Sequence, residues 1–367
     1  MRMRTAVGAV ELMMLYGQDP RDRHWGSPVR EHWGLRPNQT LSPLLEDRLC
    51  FTVTATGSYE EAAALATKWG VTVDDARLHA LVQRVGERAE VLTQTRLGQT
   101  PSESEPTRAA ADPLVLMMDG WQVRHRGAEW GASVRKKNAV RVEWHELKTA
   151  VVYRQDQAGR SAGKRGVLAE KAVVSWQGEP MEFGRRVHWE ASRRGLGRAK
   201  NVLVVADGAA WIWNLVADRW AGATEVLDFY HASQHLWRLG EALHGEAGAG
   251  SWVEPRRHRL RHGEAAAVVK EIERERIPKG ERGEVVRREA NYFQTQARRM
   301  DYRRISTRGW PIGSGAVESA CRRKQCRFKR PGQFWTRRGL RHLSALEEAR
   351  HNNHWDALWT VDSRGQV

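Results

Sequence analysis

The sequence, 367 residues long, predicts a mixed α/β fold preceded by a helical region, and three patterns carry that prediction. Short apolar runs of strand length end in aspartate at Asp119, Asp207 and Asp228. Between the first two of these runs, apolar and charged residues alternate with a period of two, the mark of strands with one wet face. Helical patterning runs over residues 58–88 and again from Ala232 to about Met300.

In chain order, a first strand is expected over residues 6–16, followed by an irregular segment rich in Pro, Gly and Trp. Ser58 can cap a helix that runs to Trp69, with Glu61 three residues on as a capping box. Gly70 ends that helix, and a second one is expected over residues 72–88. Ala62, Leu65, Ala66 and Trp69 share a face of the first helix; Val73, Ala76, Ala80 or Leu81, and Val85 are expected to meet it. Two helices around a tight glycine turn outline a helix-turn-helix, and a helical hairpin that packs on the rest or dimerises has the same outline. Residues 99–107 are polar and rich in Pro and Ser, as in a linker. Residues 1–95 therefore read as an N-terminal DNA-binding region containing the hairpin 58–88, and residues 96–113 as the link to a larger part.

That part opens on a buried strand, 114–119. Val140, Val142 and Trp144, then Leu147, Thr149, Val151 and Tyr153, alternate with other residues as antiparallel strands do. A strand over 172–176 precedes a helix over 182–194, which Gly195 and Gly197 stop. The run 201–208 is a fully apolar strand, 225–228 a shorter one, and 232–300 is helical and polar. A glycine-rich turn over 309–315 leads into a helix that opens on Ala316, Val317 and Glu318.

Composition narrows the function. Lys and Arg number 60 against 44 acids, a formal charge of +16, which favours a polyanionic partner. Residues 298–341 hold fourteen Lys or Arg and two acids, interleaved with Tyr302, Trp310, Phe328, Phe334 and Trp335. Cations laced with aromatics suit a nucleic-acid backbone and its unstacked bases, whereas a charge run alone is a solvated face. Arg323, Lys324, Arg327, Lys329 and Arg330 are the candidate phosphate contacts, with Trp310 and Trp335 as aromatic DNA contacts. Cys50, Cys321 and Cys326 form neither a disulfide framework nor a zinc spacing, which fits a reducing cytoplasm. The first residues lack a secretory core, and no apolar run is long enough to span a membrane.

One aspartate at a strand end is ordinarily a cap or turn former. The set says more. Two apolar strands side by side would bring Asp119 and Asp207 together, and like charges that close call for a cation between them. Glu318, in the first turn of a helix, would complete an oxygen-rich site of the kind that selects Mg²⁺ or Mn²⁺. Such ions activate a water or a 3′-hydroxyl against a phosphodiester.

The order of these elements is the layout of a ribonuclease H-like fold, and the chain resembles the DDE transposases of bacterial insertion sequences. It is similar to the ISKra-type group and to Mutator-type enzymes. The resemblance rests on Met118-Asp119-Gly120, Ala206-Asp207-Gly208-Ala209-Ala210-Trp211-Ile212, Leu227-Asp228-Phe229-Tyr230-His231, and Tyr292-Phe293 with Arg299-Met300-Asp301-Tyr302. It extends through Ile312-Gly313-Ser314-Gly315-Ala316-Val317-Glu318-Ser319-Ala320 and Asn353-His354-Trp355-Asp356-Ala357-Leu358-Trp359, so that it spans roughly residues 58–360. It implies that Asp119, Asp207 and Glu318 are the catalytic, metal-holding triad, and that Asp228 to His231 is the Asp-x-x-His motif after the second aspartate. It implies a catalytic core in two parts, 114–236 and 301–362, split by an all-helical insertion over 237–300 that holds Trp237 and Trp252. It further implies Mg²⁺ or Mn²⁺ as cofactor, element ends and target DNA as partners, and a homo-oligomer in the active complex.

Supporting roles fall to Asp228, His231 and Arg322. His231 reads as a substrate-positioning or proton-handling group, or as a buried hydrogen-bonded histidine. His235, one turn further, reads as structural. Arg322 shares a helix face with Glu318 and would hold a phosphate or pair with the glutamate. A nuclease that only hydrolyses DNA, and an inactive domesticated DNA-binding regulator, are the rival functions.

Overall fold

The computed structural model describes residues 1–21, 23–36, 38–101, 113–131, 140–163 and 166–360. The middle of the expected linker, residues 102–112, lies outside the described residues. Described strands and helices follow in chain order: β1 (Arg2–Thr5), β2 (Gly8–Glu11), β3 (Gly17–Gln18), β4 (Trp25–Gly26), α1 (Pro28–His32), α2 (Pro43–Ala55), α3 (Tyr59–Lys68) and α4 (Asp75–Leu97). Then come β5 (Leu114–Arg126), β6 (Val142–Arg154), β7 (Ala158–Arg160), β8 (Gly166–Leu168), β9 (Ala172–Trp176), α5 (Pro180–Arg193), β10 (Val202–Ala206), α6 (Ala210–Arg219) and β11 (Thr224–Leu227). The chain closes with α7 (Phe229–Arg261), α8 (Ala265–Arg274), α9 (Glu281–Gln296), α10 (Tyr302–Thr307), α11 (Gly315–Phe328) and α12 (Arg337–His351).

These elements form two compact units. One comprises Met1–Gln99, Val123–His145 and Lys324–Val367, the other Thr100–Gln122 and Glu146–Arg323. The chain beyond Arg323 therefore groups with the N-terminal helices.

In the first unit the expected single strand over 6–16 is instead a hairpin of β1 and β2, paired Met3 to Val10 and Thr5 to Gly8. The segment read as irregular contains α2, opened by Ser42, whose hydroxyl accepts from Leu45 N, and by Pro43 at its first turn. Leu45, Leu49, Cys50 and Val53 of α2 are fully buried. In α3 the Ser58 side chain accepts from Glu61 N, while Glu61 reaches back to Gly57 N rather than to the cap residue. The expected face between α3 and α4 is corrected in part. Ala62 and Ala66 are buried but Leu65 is exposed; Val73, Leu81 and Val85 are buried as expected, Leu78 and Val82 join them, and Ala76 and Ala80 are exposed. The α4 cap is Asp74, so the helix starts later and runs longer than residues 72–88. Helix α12 lies along α4, with Leu340, Leu343 and Leu346 wholly buried.

In the second unit a five-stranded sheet has the order β11-β10-β5-β6-β9. Strands β10 and β11, and β10 and β5, are parallel; β6 and β9 are antiparallel. Both faces of β10 are covered, as its unbroken apolar sequence requires. The wet face expected for residues 147–153 is absent: Leu147 to Tyr153 are all buried, Lys148 included, its ammonium 2.8 Å from Glu146. The stretches 140–144 and 147–153 are parts of one long strand, β6. Helix α5 packs on β9 and α6. Helices α7, α8 and α9 pack on one another, α7 breaking at Gly245, whose φ is +75°. Trp252 is core packing there, its indole N–H bonded to Glu275 and Arg256 over its ring.

Candidate active site

Parallel pairing aligns Met118 with Ala206, and Ala206 with Leu227. The next residue on each chain is Asp119, Asp207 and Asp228, so three carboxylates leave neighbouring backbones in one row, about 4.8 Å apart from strand to strand. Asp119 is not a strand end as expected, since β5 runs on to Arg126. It is the point where β10 stops pairing with β5.

The three differ in their surroundings. Asp119 Oδ1 accepts from Gly120 N at 2.7 Å, and the buried Cys321 thiol also donates to its carboxylate. Burial, then the charge of Asp207 and, after it, that of Glu318, pushes the Asp119 pKa up to about 6. Asp207 Oδ1 accepts from Ala209 N at 3.0 Å, and its carbonyl accepts from the Tyr292 hydroxyl at 2.9 Å. Gly208 beside it holds φ +102°, and a Cβ there would press within 3.0 Å of the Tyr292 ring. Asp228 is buried and both its oxygens are engaged: Oδ1 caps α7 through His231 N at 2.7 Å, and Oδ2 accepts from Ser314 N at 2.5 Å.

Ser314 starts α11. Its carbonyl accepts from Glu318 N and its hydroxyl donates to Glu318 Oε1, each at 3.1 Å. Asp228 thus holds the loop that holds Glu318. Gly313 lets that loop pass the Tyr230 ring, which a Cβ would approach to 2.8 Å. Asp119, Asp207, Glu318 and His231 line one open cavity of about 1010 Å³. Among the described residues no three His, Cys, Asp or Glu side chains are gathered tightly enough to hold a metal ion by themselves.

Behind the cavity, His231 and His235 join Glu289 and Gln296, two residues to which the sequence assigned no role. His231 Nε2 lies 3.1 Å from His235 Nε2, and His235 Nδ1 lies 2.5 Å from Glu289 Oε2. The His235 ring stacks on Tyr292 at 3.7 Å between centroids. Burial would raise the Glu289 pKa, but the hydrogen bond and charge of His235, then those of Arg288, bring it below the usual value. Burial lowers the His231 pKa, with Asp207 pulling it upward and His235 lowering it further. Gln296 donates to Gly208 O at 3.3 Å. Glu289, Tyr292 and Gln296 are spaced to share a face of α9, a signal visible in the sequence once a partner for that face is known.

The basic residues separate into two groups. Arg322 is exposed and, among the described residues, makes no ion pair with Glu318, so of its two expected roles the pairing is not seen. Arg323 and Lys329 are exposed. Lys324 and Arg327, expected at phosphates, are buried. Lys324 meets Glu347 at 3.3 Å and Arg327 donates to Gly57 O at 3.0 Å. Arg330 pairs with Glu61 at 2.8 Å. Trp335 and Trp310 are mostly packed, Trp335 N–H bonding Phe328 O and Trp310 lying under Arg308. Lys324 and Arg327, three residues apart, share one face of α11, and that is the face the fold buries.

No family model matches the sequence, and no curated protein matches it. Among solved structures the chain is similar to the Drosophila P element transposase strand transfer complex, at 13% identity over 86% of this chain and 79% of that one, with a TM-score of 0.28. A likeness of that size carries no argument about fold or function, which rest on the geometry of this chain.

Proposed function

We propose that the chain is a DNA transposase, with a ribonuclease H-like core that transfers phosphoryl groups at the Asp119, Asp207 and Glu318 cavity. One observation supports the reading above all: two aspartates emerge in register from adjacent parallel strands and share an open cavity with a glutamate held by its own capping serine.

The donor set fits Mg²⁺ or Mn²⁺. It is all oxygen, and the Asp119 carboxyl is pushed toward its neutral form by burial and by its two acidic neighbours, a repulsion that a cation relieves. Mg²⁺ is ordinarily held by one or two carboxylates together with water and substrate phosphates, not by a closed protein cage. A site without three gathered ligands suits an ion that arrives with the nucleic acid. Asp119 and Asp207 would hold it, with Glu318 completing the set. When bound, such an ion neutralises the phosphate and activates the attacking oxygen.

The chain's own residues then manage orientation and protons. Glu289 takes the Nδ1 proton of His235 as a hydrogen bond, which leaves His235 Nε2 to accept from His231 Nε2. His231 Nδ1 is thereby its proton acceptor, for water in nicking an element end and for the freed 3′-hydroxyl in joining it to target DNA. Cys321 and Gly120 keep the Asp119 carboxylate oriented.

The test is joining of a labelled 3′-end to plasmid DNA in Mg²⁺. Asp207→Asn and Glu318→Gln should each abolish nicking and joining together, leaving DNA binding intact. Strand transfer by the Glu318→Gln protein would overturn the assignment. Cutting without joining by the unaltered chain would make it a nuclease, and neither activity a DNA-binding regulator.

A further inference from the structure

The first unit carries an aromatic surface that the carboxylate site does not use. Trp144 is 54% exposed and Trp130 41% exposed, and the two belong to one contiguous patch. Rings and cations alternate along it. Lys329 lies 5.5 Å from the Trp144 ring, and Arg124 is 5.9 Å from Trp144 and 5.0 Å from Phe334. Phe334 is 4.6 Å from Trp130, over which Arg126 sits at 5.4 Å. Arg124 is fixed further by donating to Arg330 O at 2.6 Å.

The Trp130 and Phe334 end of this row opens into a cavity of about 580 Å³. Tyr59, His79 and Trp335 form more of its aromatic wall, and Asp75 and Arg126 supply its charged groups. The Tyr59 hydroxyl is buried with no hydrogen-bond partner among the described residues. Asp75 Oδ1 accepts from Ala76 N, leaving Oδ2 to accept from a ligand.

We infer that this cavity binds an unpaired nucleobase of single-stranded DNA, with Trp130 and Phe334 as stacking plates, the exposed Trp144 further along the row stacking a neighbouring base, and Arg124, Arg126 and Lys329 following the flanking phosphates. Every base has a face to stack, and base–aromatic stacking beside a cationic track is the physics of single-strand binding. The volume suits one nucleoside. The Asp75 carboxylate accepts from an exocyclic amine and so favours cytosine over thymine. Paired bases in a duplex have no free face to offer. Base capture at this cavity rests on the proposed DNA-binding role of the chain but not on the carboxylate chemistry.

The test uses the full chain and fluorescein-labelled strands of oligo-dC and oligo-dT, each roughly 20 nucleotides to exceed the usual site size, with a duplex of equal length as control. Trp130→Ala and Trp144→Ala alter exposed side chains, and each should weaken single-strand binding about 5- to 100-fold, the range seen for loss of a stacked base. Duplex affinity should stay within about twofold. Asp75→Asn should erase a preference for dC over dT. Single-strand affinity unchanged in both tryptophan variants, or duplex binding lost in equal measure, overturns the inference. So does a tryptophan variant that changes only self-association in sedimentation, since the surface is then a contact between copies. Absence of any duplex binding by the unaltered protein overturns the DNA reading itself.

Discussion

Asp119, Asp207 and Asp228 follow the same register position on three adjacent strands and yet do three different things. Asp228 is consumed by backbone donors and works through the loop it anchors. Asp207 lines the cavity, its Oδ1 accepting from Ala209 N while the Tyr292 hydroxyl donates to its carbonyl. Asp119 bears an electrostatic penalty, its pKa raised from 3.8 to about 6. Between those two values the folded chain binds more protons than the unfolded one, so stability falls as pH rises through the window and the loss is complete above it. Asp119→Asn removes the penalty. In metal-free buffer the variant should melt several degrees above the unaltered protein at neutral pH, and the difference should vanish below the ordinary carboxylate range. Equal melting temperatures at neutral pH would mean that the charge is already compensated.

Helix pairs set the next level. Helices α4 and α12 approach closely at Gly86, where a Cβ would meet His342 Cβ at 2.5 Å and the His342 carbonyl oxygen at 2.7 Å. Alanine is the better helix former by about 1 kcal/mol. Backbone cannot move aside as a flexible side chain can, so overpacking dominates, and Gly86→Ala should destabilise by about 1–3 kcal/mol in urea unfolding. A more stable variant would show that the two helices can separate at no cost. Helix α9 makes the complementary point in the second unit. Glu289, Tyr292 and Gln296 brace His235 and the Asp207–Gly208 turn, so the helical tract supports the site directly.

At the scale of the whole chain, the +16 charge is a statement about partners, and the structure decides which cations can meet them. Arg322, Arg323 and Lys329 are exposed, whereas Lys324 and Arg327 are internal. Replacing the three exposed residues with Gln should flatten the salt dependence of DNA affinity by about 0.9 log units for each phosphate no longer neutralised. Lys324→Gln and Arg327→Gln should instead lower the melting temperature, because each strands a buried partner. An unchanged slope in the triple variant would place the phosphate track elsewhere on the surface.

What sequence alone determined is local. Strand β9 lies where its apolar run lies, β10 and β11 fall within theirs, and Ser58 caps α3, because burial of a short apolar stretch and the satisfaction of a helix's first N–H groups are decided within a few residues. The Ser42–Pro43 start of α2, a cap followed by proline, and the i, i+4 spacing of Leu45, Leu49 and Val53 behind it were equally legible, and reading this stretch as irregular passed over both. Tertiary structure decided what lies across from what. The register of β5, β10 and β11 sets Asp119 beside Asp207, and pairing between distant strands leaves no periodic trace in the chain. The meeting of His235 with Glu289, and of Asp228 with Ser314, joins residues far apart in sequence whose types alone name no partner. The burial of Lys324 follows from Glu347 one helix away, and the covered faces of β6 follow from what packs on both sides of it. Periodicity tells which face of an element is apolar; only the packed fold supplies the surface that covers it.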